Sequence, residues 1–185
     1  MVLKKYFPYE YAESVFAIDY GKLVNKGYKA IIFDIDNTLV HHGDNSTPQV
    51  DELFRDIHKT GLKTLLLTNN DEERVLRFIE NIDTPYVCDA DKPKPDGYLK
   101  ALDILEVTKE EAVVIGDQIF TDIYGANSCG IPNILVKFIT LEGETKIGKR
   151  RYVEKAILAI RSLSKTYRSR IGDIERDTKN VVEKR

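Results

Sequence analysis

Asp34 and Asp36 stand two positions apart in AIIFDIDNTLV, at the end of an apolar run dense enough to be a strand covered on both faces. Three other apolar runs end in residues of matching chemistry. Thr68 and Asn69 close LLLTN, Lys92 and Lys94 follow YVC in DKPKP, and Asp117 and then Asp122 follow VVIG. Three or four carboxylates brought to one point repel one another unless a cation neutralises them. An all-oxygen set suits a hard, octahedral ion, Mg2+. Such an ion binds a phosphate oxygen, and a hydroxyl, an amide and an ammonium complete a cradle for the others. The chemistry implied is phosphoryl transfer. Two carboxylates two positions apart can divide the labour, one attacking phosphorus while the other protonates the leaving oxygen and then activates water. DIDN alone reads equally well as a turn after a strand. Four strand ends in agreement outweigh that reading, because open α/β sheets bind ligands outside the carboxyl ends of their strands.

The elements that must position these residues alternate along the chain. Strands are expected at Lys29–Asp34, Lys63–Thr68, Tyr86–Cys88, Ala112–Ile115 and Asn133–Phe138. Between them PQVDELFRDIHKTG, DEERVLRFIEN, PDGYLKALDIL and TDIYGANSCG carry helical spacing or helix-terminal signals. Five strands and four connecting helices predict a three-layer α/β/α domain, a doubly wound parallel sheet of Rossmann type. The domain is expected over residues 29–164. Residues 1–28 form an aromatic-rich extension packed on it through a short helix, and residues 165–185 a charged tail of frayed or extended helix. RRYVEKAILAIRSL predicts a helix with Val153, Ala156, Ile157 and Ile160 on one side.

With 185 residues, 31% of them charged and 42% hydrophobic, the chain fits a single soluble domain with a good core. Cys88 and Cys129 are too few for a disulfide scaffold or a CxxC metal site and read as buried thiols. There is no signal-type apolar region and no run long enough to span a bilayer, which places the protein in the cytoplasm. The net charge of -2 is unevenly divided: from Leu141 onward it is +6, and the remainder carries -8. The basic segment reads first as a solvated helix face, then as a docking site for an acidic partner or an attachment to anionic lipid. His41 and His42 read as exposed loop histidines, and Tyr86, Tyr98 and Tyr124 as core or rim aromatics.

From Ile31 to Asp122 the motifs resemble, in order, those of the haloacid dehalogenase-like (HAD) phosphatases. FDIDNT is similar to their DxDxT signature, LLLTNN to the second motif, DKPKPDGY to the lysine motif and VVIGDQIFTD to the closing acidic motif. The resemblance implies that Asp34 is the nucleophile forming an aspartyl-phosphate and Asp36 the general acid/base. It further implies that Asp34, the backbone carbonyl of Asp36 and Asp117 hold Mg2+, with Asp122 supporting the metal shell. Thr68 and Asn69 would bind the phosphoryl group, and a lysine would neutralise it. The family pattern favours Lys92, with Lys94 as the fallback.

HAD phosphatases usually carry a cap domain after the first or second motif. Here about 30 residues separate Thr38 from Thr68 and about 24 separate Thr68 from Lys92, enough for a helix and a strand each, so the site is expected to be capless. An open site suits a substrate that brings its own bulk. Spacing, LKKYFPYEYAESVFAIDYGKL and GKRRYVEKAIL further resemble the YqeG family of HAD subfamily IIIA, whose relatives include phosphatidylglycerophosphate phosphatases. That resemblance implies a lipid phosphate as substrate, with peripheral membrane contact through the basic C-terminal segment. The alternatives are a phosphatase of a soluble sugar phosphate, nucleotide or phosphoprotein, and a non-catalytic binding protein on the same scaffold. No nucleic-acid partner is expected.

Overall fold

The computed structural model describes residues 3–140 and 149–176. In chain order the regular elements are β1 (Glu10–Ala12), α1 (Tyr20–Asn25), β2 (Ala30–Phe33), α2 (Pro48–Lys59), β3 (Lys63–Leu67), α3 (Glu72–Phe78), β4 (Tyr86–Val87), α4 (Pro95–Leu105), β5 (Ala112–Gly116), α5 (Tyr124–Cys129), β6 (Asn133–Val136), α6 (Lys149–Ser162) and α7 (Lys165–Arg168). A π-helical turn, Ile119–Ile123, leads into α5.

The six strands form one parallel sheet in the order β1-β6-β5-β2-β3-β4. From the central β2 the chain winds outward through β3 and β4, then crosses back to β5 and β6. The winding therefore reverses between β2 and β5, the crevice where such sheets bind ligands. The period of two along β2 explains its unbroken apolar run. Ile31 and Phe33 join a core under α1, α2 and α3 with Tyr20, Phe54 and Phe78, whereas Ala30 and Ile32 join a second core under α4 and α5 with Tyr98, Leu105 and Ala126. At about 1.5–3 kcal/mol per fully buried large apolar side chain, these two faces dominate the stability of the sheet.

Helix starts follow local chemistry. The Thr47 hydroxyl accepts from Val50 N at 3.3 Å ahead of Pro48 at the first turn of α2, and the Asp71 carboxylate accepts from Arg74 N at 2.9 Å ahead of α3.

The structure departs from the sequence reading at both ends of the chain. The sheet has a sixth strand, β1, paired with β6 through Glu10↔Ile134, Tyr11↔Leu135 and Ala12↔Val136. Three residues, one of them Glu, give no apolar run, and this edge strand is held by ladder bonds and by its neighbours. Residues 165–176 of the expected tail fold back over the N-terminal segment. Glu10 Oε1 accepts from Ser169 Oγ, Ile171 N and Gly172 N, Ile174 is buried, and Ile18 bridges Glu175. The last nine positions, 177–185, lie outside the described residues.

Three arginines in and beside this segment are taken up inside the molecule. Arg161 donates to the carbonyls of Pro8, Tyr9 and Arg168, Arg176 donates to Ile18 O, and Arg170 donates to Phe7 O while lying over the Tyr9 ring. Helix α6 forms as expected, and of its apolar side only Ile157 is buried. It buries Glu154, Ile157 and Arg161 and leaves Val153, Ala156 and Ile160 outward with Tyr152 and Leu163. The polar pair wins the inner face because both find partners there, Glu154 from Ile119 N at 2.9 Å and Arg161 from the carbonyls above. Among the described residues no helix is long and apolar enough to cross a membrane.

Candidate active site

Strands β2 and β5 pair in register, Phe33 opposite Ile115, and Asp34 N donates to Ile115 O at 2.9 Å. The pairing carries Asp34 and Asp117 off adjacent strands at the reversal of winding. Asp122 arrives from the π-helical turn after β5, a one-turn widening of the kind found often at functional sites. Gly116 makes this approach feasible, because a Cβ there would overlap the Asp122 side chain. One oxygen from each of Asp34, Asp117 and Asp122 lies within 4.8 Å of the others, and all three residues are buried.

Lys92 reaches the cluster from the segment before α4. Its Nζ donates to Asp34 Oδ1 at 2.6 Å and Asp122 Oδ1 at 2.7 Å. Asn69 anchors that segment at both ends of one residue: its Oδ1 accepts from Lys92 N at 2.6 Å and its Nδ2 donates to Lys92 O at 3.2 Å. Lys94 points to solvent and pairs with Asp91, so the lysine in the cluster is Lys92. Thr38 closes the floor, donating to Asp34 Oδ2 at 3.1 Å and lying 3.4 Å from Asp117 Oδ1.

Electrostatics follow from this crowding. Burial pushes Asp34 up to about 6, offset in part by the Lys92 ammonium and reinforced by the Asp122 carboxylate. Asp117 is pushed up to about 8 by burial and then by repulsion from Asp122 and Asp34, against the pull of Arg151. Lys92 is held above the usual lysine range: burial opposes its charge, but the carboxylates of Asp122 and Asp34 outweigh that. Three buried carboxylates against two cations leave negative charge that a divalent ion would satisfy, and an all-carboxylate donor set fits Mg2+.

Asp36 stands apart from the three. Its carboxylate accepts from Asn70 Nδ2 at 2.7 Å, Arg74 Nη2 at 3.0 Å and Gly43 N at 3.1 Å, and the exposed His42 ring lies 3.3 Å away. Burial would raise its pKa, but the hydrogen bonds from Asn70, Gly43 and Arg74 prevail and lower it. The carboxylate is thereby kept ionised and held by Asn70, Arg74 and the Gly43 amide, outside the three-carboxylate cluster. Thr68 is buried at the end of β3, its hydroxyl accepting from Asn70 Nδ2 at 2.9 Å and Asn70 N at 3.2 Å.

The sequence reading gives no role to three residues of this site. Asn70 and Arg74 clamp Asp36. Arg151, on α6, bonds the Asp117 carboxylate and donates to Asp117 O at 2.6 Å and to Glu154 Oε2 at 2.9 Å. Asn70 lies inside the quoted LLLTNN and could have been found there; Arg74 and Arg151 look like ordinary surface arginines of amphipathic helices until long-range packing is known. Tyr98 is a core aromatic whose hydroxyl donates to Thr121 O at 2.9 Å, and Tyr124 stacks on Tyr6 with ring centroids 4.8 Å apart.

Residues 42–130 match the family model described as haloacid dehalogenase-like hydrolase. The chain is 38% identical over 160 residues to the probable phosphatase YqeG of Bacillus subtilis, covering 85% of this chain and 93% of that protein. It is 31% identical over 91 residues to a glyceraldehyde 3-phosphate phosphatase of Pyrococcus furiosus, covering 44% of this chain and 38% of that protein. Among solved structures, NagD from Escherichia coli K-12 superposes with a TM-score of 0.52 at 15% identity, over 62% of this chain and 90% of that one. An uncharacterized protein from Listeria monocytogenes gives 0.51 at 19% identity, over 71% and 98%. At these identities the two structures speak for the fold.

Proposed function

Since the chain belongs to the haloacid dehalogenase-like hydrolases and is a phosphatase of that family, we propose that it is a Mg2+-dependent phosphomonoesterase acting through an aspartyl-phosphate on Asp34. The observation that carries this reading is the convergence of Asp34, Asp117 and Asp122 on one point at the reversal of winding, with the Lys92 ammonium bridging two of them.

Asp34, Asp117 and Asp122 would hold the ion with the carbonyl of Asp36. When bound, Mg2+ supplies positive charge to the carboxylates and to the phosphoryl oxygens. Lys92 neutralises a further phosphoryl oxygen, and Thr68 and Asn69 would bind the group beside it. An Asp34 oxygen attacks phosphorus as the bond to the ester oxygen breaks. Once released from Asn70 and Arg74, whose hydrogen bonds hold it ionised, Asp36 takes up a proton from solvent and gives it to the departing alkoxide. It then takes a proton from water as that water attacks the phosphoryl group on Asp34, which frees inorganic phosphate and restores the carboxylate.

For the substrate, three features support an amphiphilic phosphate such as phosphatidylglycerophosphate: the short segments around the site, the outward apolar residues Tyr152, Val153 and Ile160 on α6 with Leu163 just after it, and the basic balance of the C-terminal segment. A soluble monoester is the second reading, favoured by Arg161, Arg170 and Arg176 of that segment being tied to backbone carbonyls within the molecule.

The test is Mg2+-dependent phosphate release from a panel of sugar phosphates, nucleotides, phosphopeptides and vesicle-borne lipid phosphate, with Asp34→Asn as blank. Release abolished by Asp34→Asn is expected. Equal inactivity of both proteins on every ester would sink the enzymatic reading in favour of a binding scaffold. Preference for a soluble ester with no gain on vesicles would sink the lipid.

A further inference from the structure

We propose that the cleft between the end of β6 and α6 receives the organic part of the substrate, an apolar body that carries a second anionic group. The proposal rests on the phosphomonoesterase reading for its chemistry, and on the cleft itself for the place where the substrate is held.

The cleft has a volume of about 270 Å3, close to the lower bound of ordinary small-ligand sites. It lies at the carboxyl end of β6, where Lys137 and Phe138 leave the sheet, and Asp117 contributes to its lining. Because β6 pairs with β5 through Ile134↔Ile115, the cleft and the carboxylate cluster occupy neighbouring positions on the same rim of the sheet. A substrate whose phosphate sat at Asp34 could therefore extend its alcohol portion along that rim without leaving the protein.

The lining divides by chemistry. Leu135, Phe138 and Leu158 give an apolar floor and wall. Arg151 stands between them and the active site, its guanidinium over the Phe138 ring at 4.5 Å and its N–H groups on Asp117 and Glu154. The two acids that line the cleft are thus already paired. Two ammonium groups are not so committed: among the described residues Lys137 pairs with the exposed Glu13, at 3.4 Å, and Lys155 is exposed with no ion pair. An apolar floor with surplus positive charge at its edge is complementary to an anionic amphiphile. A small sugar phosphate would leave that floor wet and gain nothing from it. Among the described residues no inserted domain closes over the site, so the body of the substrate has to be gripped by the core domain, and this cleft offers the surface.

The test is a titration of dihexanoylphosphatidylglycerol, below its micelle-forming concentration, into the 15N-labelled full chain in Mg2+. This probe has an apolar body and an anionic phosphodiester but no monoester, so binding needs no turnover. Saturable binding is expected, with amide shifts gathered in residues 135–138 and 151–158. The affinity should fall about tenfold in Lys155→Glu, which removes the free cation, and in Leu158→Ala, which opens the floor. Both residues lie at least partly at the surface, so the fold should tolerate the changes. Glycerol 3-phosphate, which is anionic but lacks the apolar body, should leave the 135–138 amides in place.

Shifts elsewhere, no saturation, unchanged affinity in both variants, or equal occupation of the cleft by glycerol 3-phosphate would overturn the proposal. Cleft binding without phosphate release from any ester would instead overturn the phosphatase reading and leave the cleft standing as an amphiphile site.

Discussion

Arg74 and Asp36 are joined beside the carboxylate cluster: Nη2 of the buried arginine donates to Asp36 Oδ1 at 3.0 Å and to Asp44 O at 2.6 Å, while its Nε and Nη1 are buried without partners among the described residues. Orphaned buried donors cost about 1–3 kcal/mol each, so this arginine is not placed for stability alone. Its position suits a clamp that fixes where the Asp36 carboxyl rests and from where it reaches the leaving oxygen.

Replacing Arg74 with Met should leave the fold intact, because the replacement removes the two orphans and Asp36 keeps Asn70 and Gly43. Proton delivery should suffer. On an alkyl phosphate, whose alkoxide needs the proton, kcat is expected to fall about 10–100-fold. On p-nitrophenyl phosphate, whose phenolate leaves unprotonated, the fall should be less than about threefold. Parallel kinetics on the two esters check this, with Arg74→Lys recovering part of the loss. Equal losses on both esters would assign Arg74 a structural role.

The metal-free protein should lose stability as pH rises. Asp117 titrates near 8 and Asp34 near 6 in the fold, against an ordinary value of 3.8, for the reasons of burial and mutual repulsion given above. A carboxyl raised in the folded state binds more protons there than in the unfolded chain. Stability is therefore highest near pH 4 as far as these groups are concerned, and declines through about pH 6 and 8 as each ionises. Each unit of raised pKa corresponds to about 1.4 kcal/mol lost across its window. A divalent ion at the cluster offsets this repulsion, so the rise in Tm produced by Mg2+ over EDTA should be larger at about pH 8 than at about pH 5. Calorimetry at the two pH values checks it; a Mg2+ effect independent of pH would speak against ion binding by these carboxylates.

The centre of the molecule was legible in the sequence because local pattern and global fold agree there. Ile31 to Phe33 read as a doubly covered strand, and Asp34, Thr68, Lys92 and Asp117 could be placed because each lies at or just beyond the carboxyl end of an apolar run. The periphery was illegible for a physical reason. Strand β1 exists because Tyr9 N donates to Asn133 Oδ1 and Glu10 caps the returning segment, both contacts spanning more than 120 positions. Helix α6 turns its apolar row outward because Arg151, Glu154 and Arg161 find carboxylate, amide and carbonyl partners inward. No periodicity of a single segment encodes such partners, so hydrophobic spacing gives the α6 helix but not which of its sides turns inward.

Gly116 shows how tightly the cluster depends on the backbone beneath it. It is the last residue of β5, and a methyl group on its Cα would overlap both Cβ and the carboxylate carbon of Asp122. Asp122 cannot give way easily: its Oδ1 takes the Lys92 ammonium at 2.7 Å and its Oδ2 takes Gln118 N at 3.0 Å, in a residue 1% exposed. Gly116→Ala must therefore break one of those bonds or shift the turn that carries Asp117. The expected destabilisation is about 1–3 kcal/mol, the usual range for overpacking a core. Phosphate release and Mg2+ affinity should fall by more than the stability loss explains, because the methyl acts on the carboxylate that braces Lys92. Thermal unfolding, Mg2+ titration calorimetry and turnover on one ester separate the effects. A Gly116→Ala protein that folds with wild-type Mg2+ affinity and turnover would show that Asp122 has room the geometry denies it.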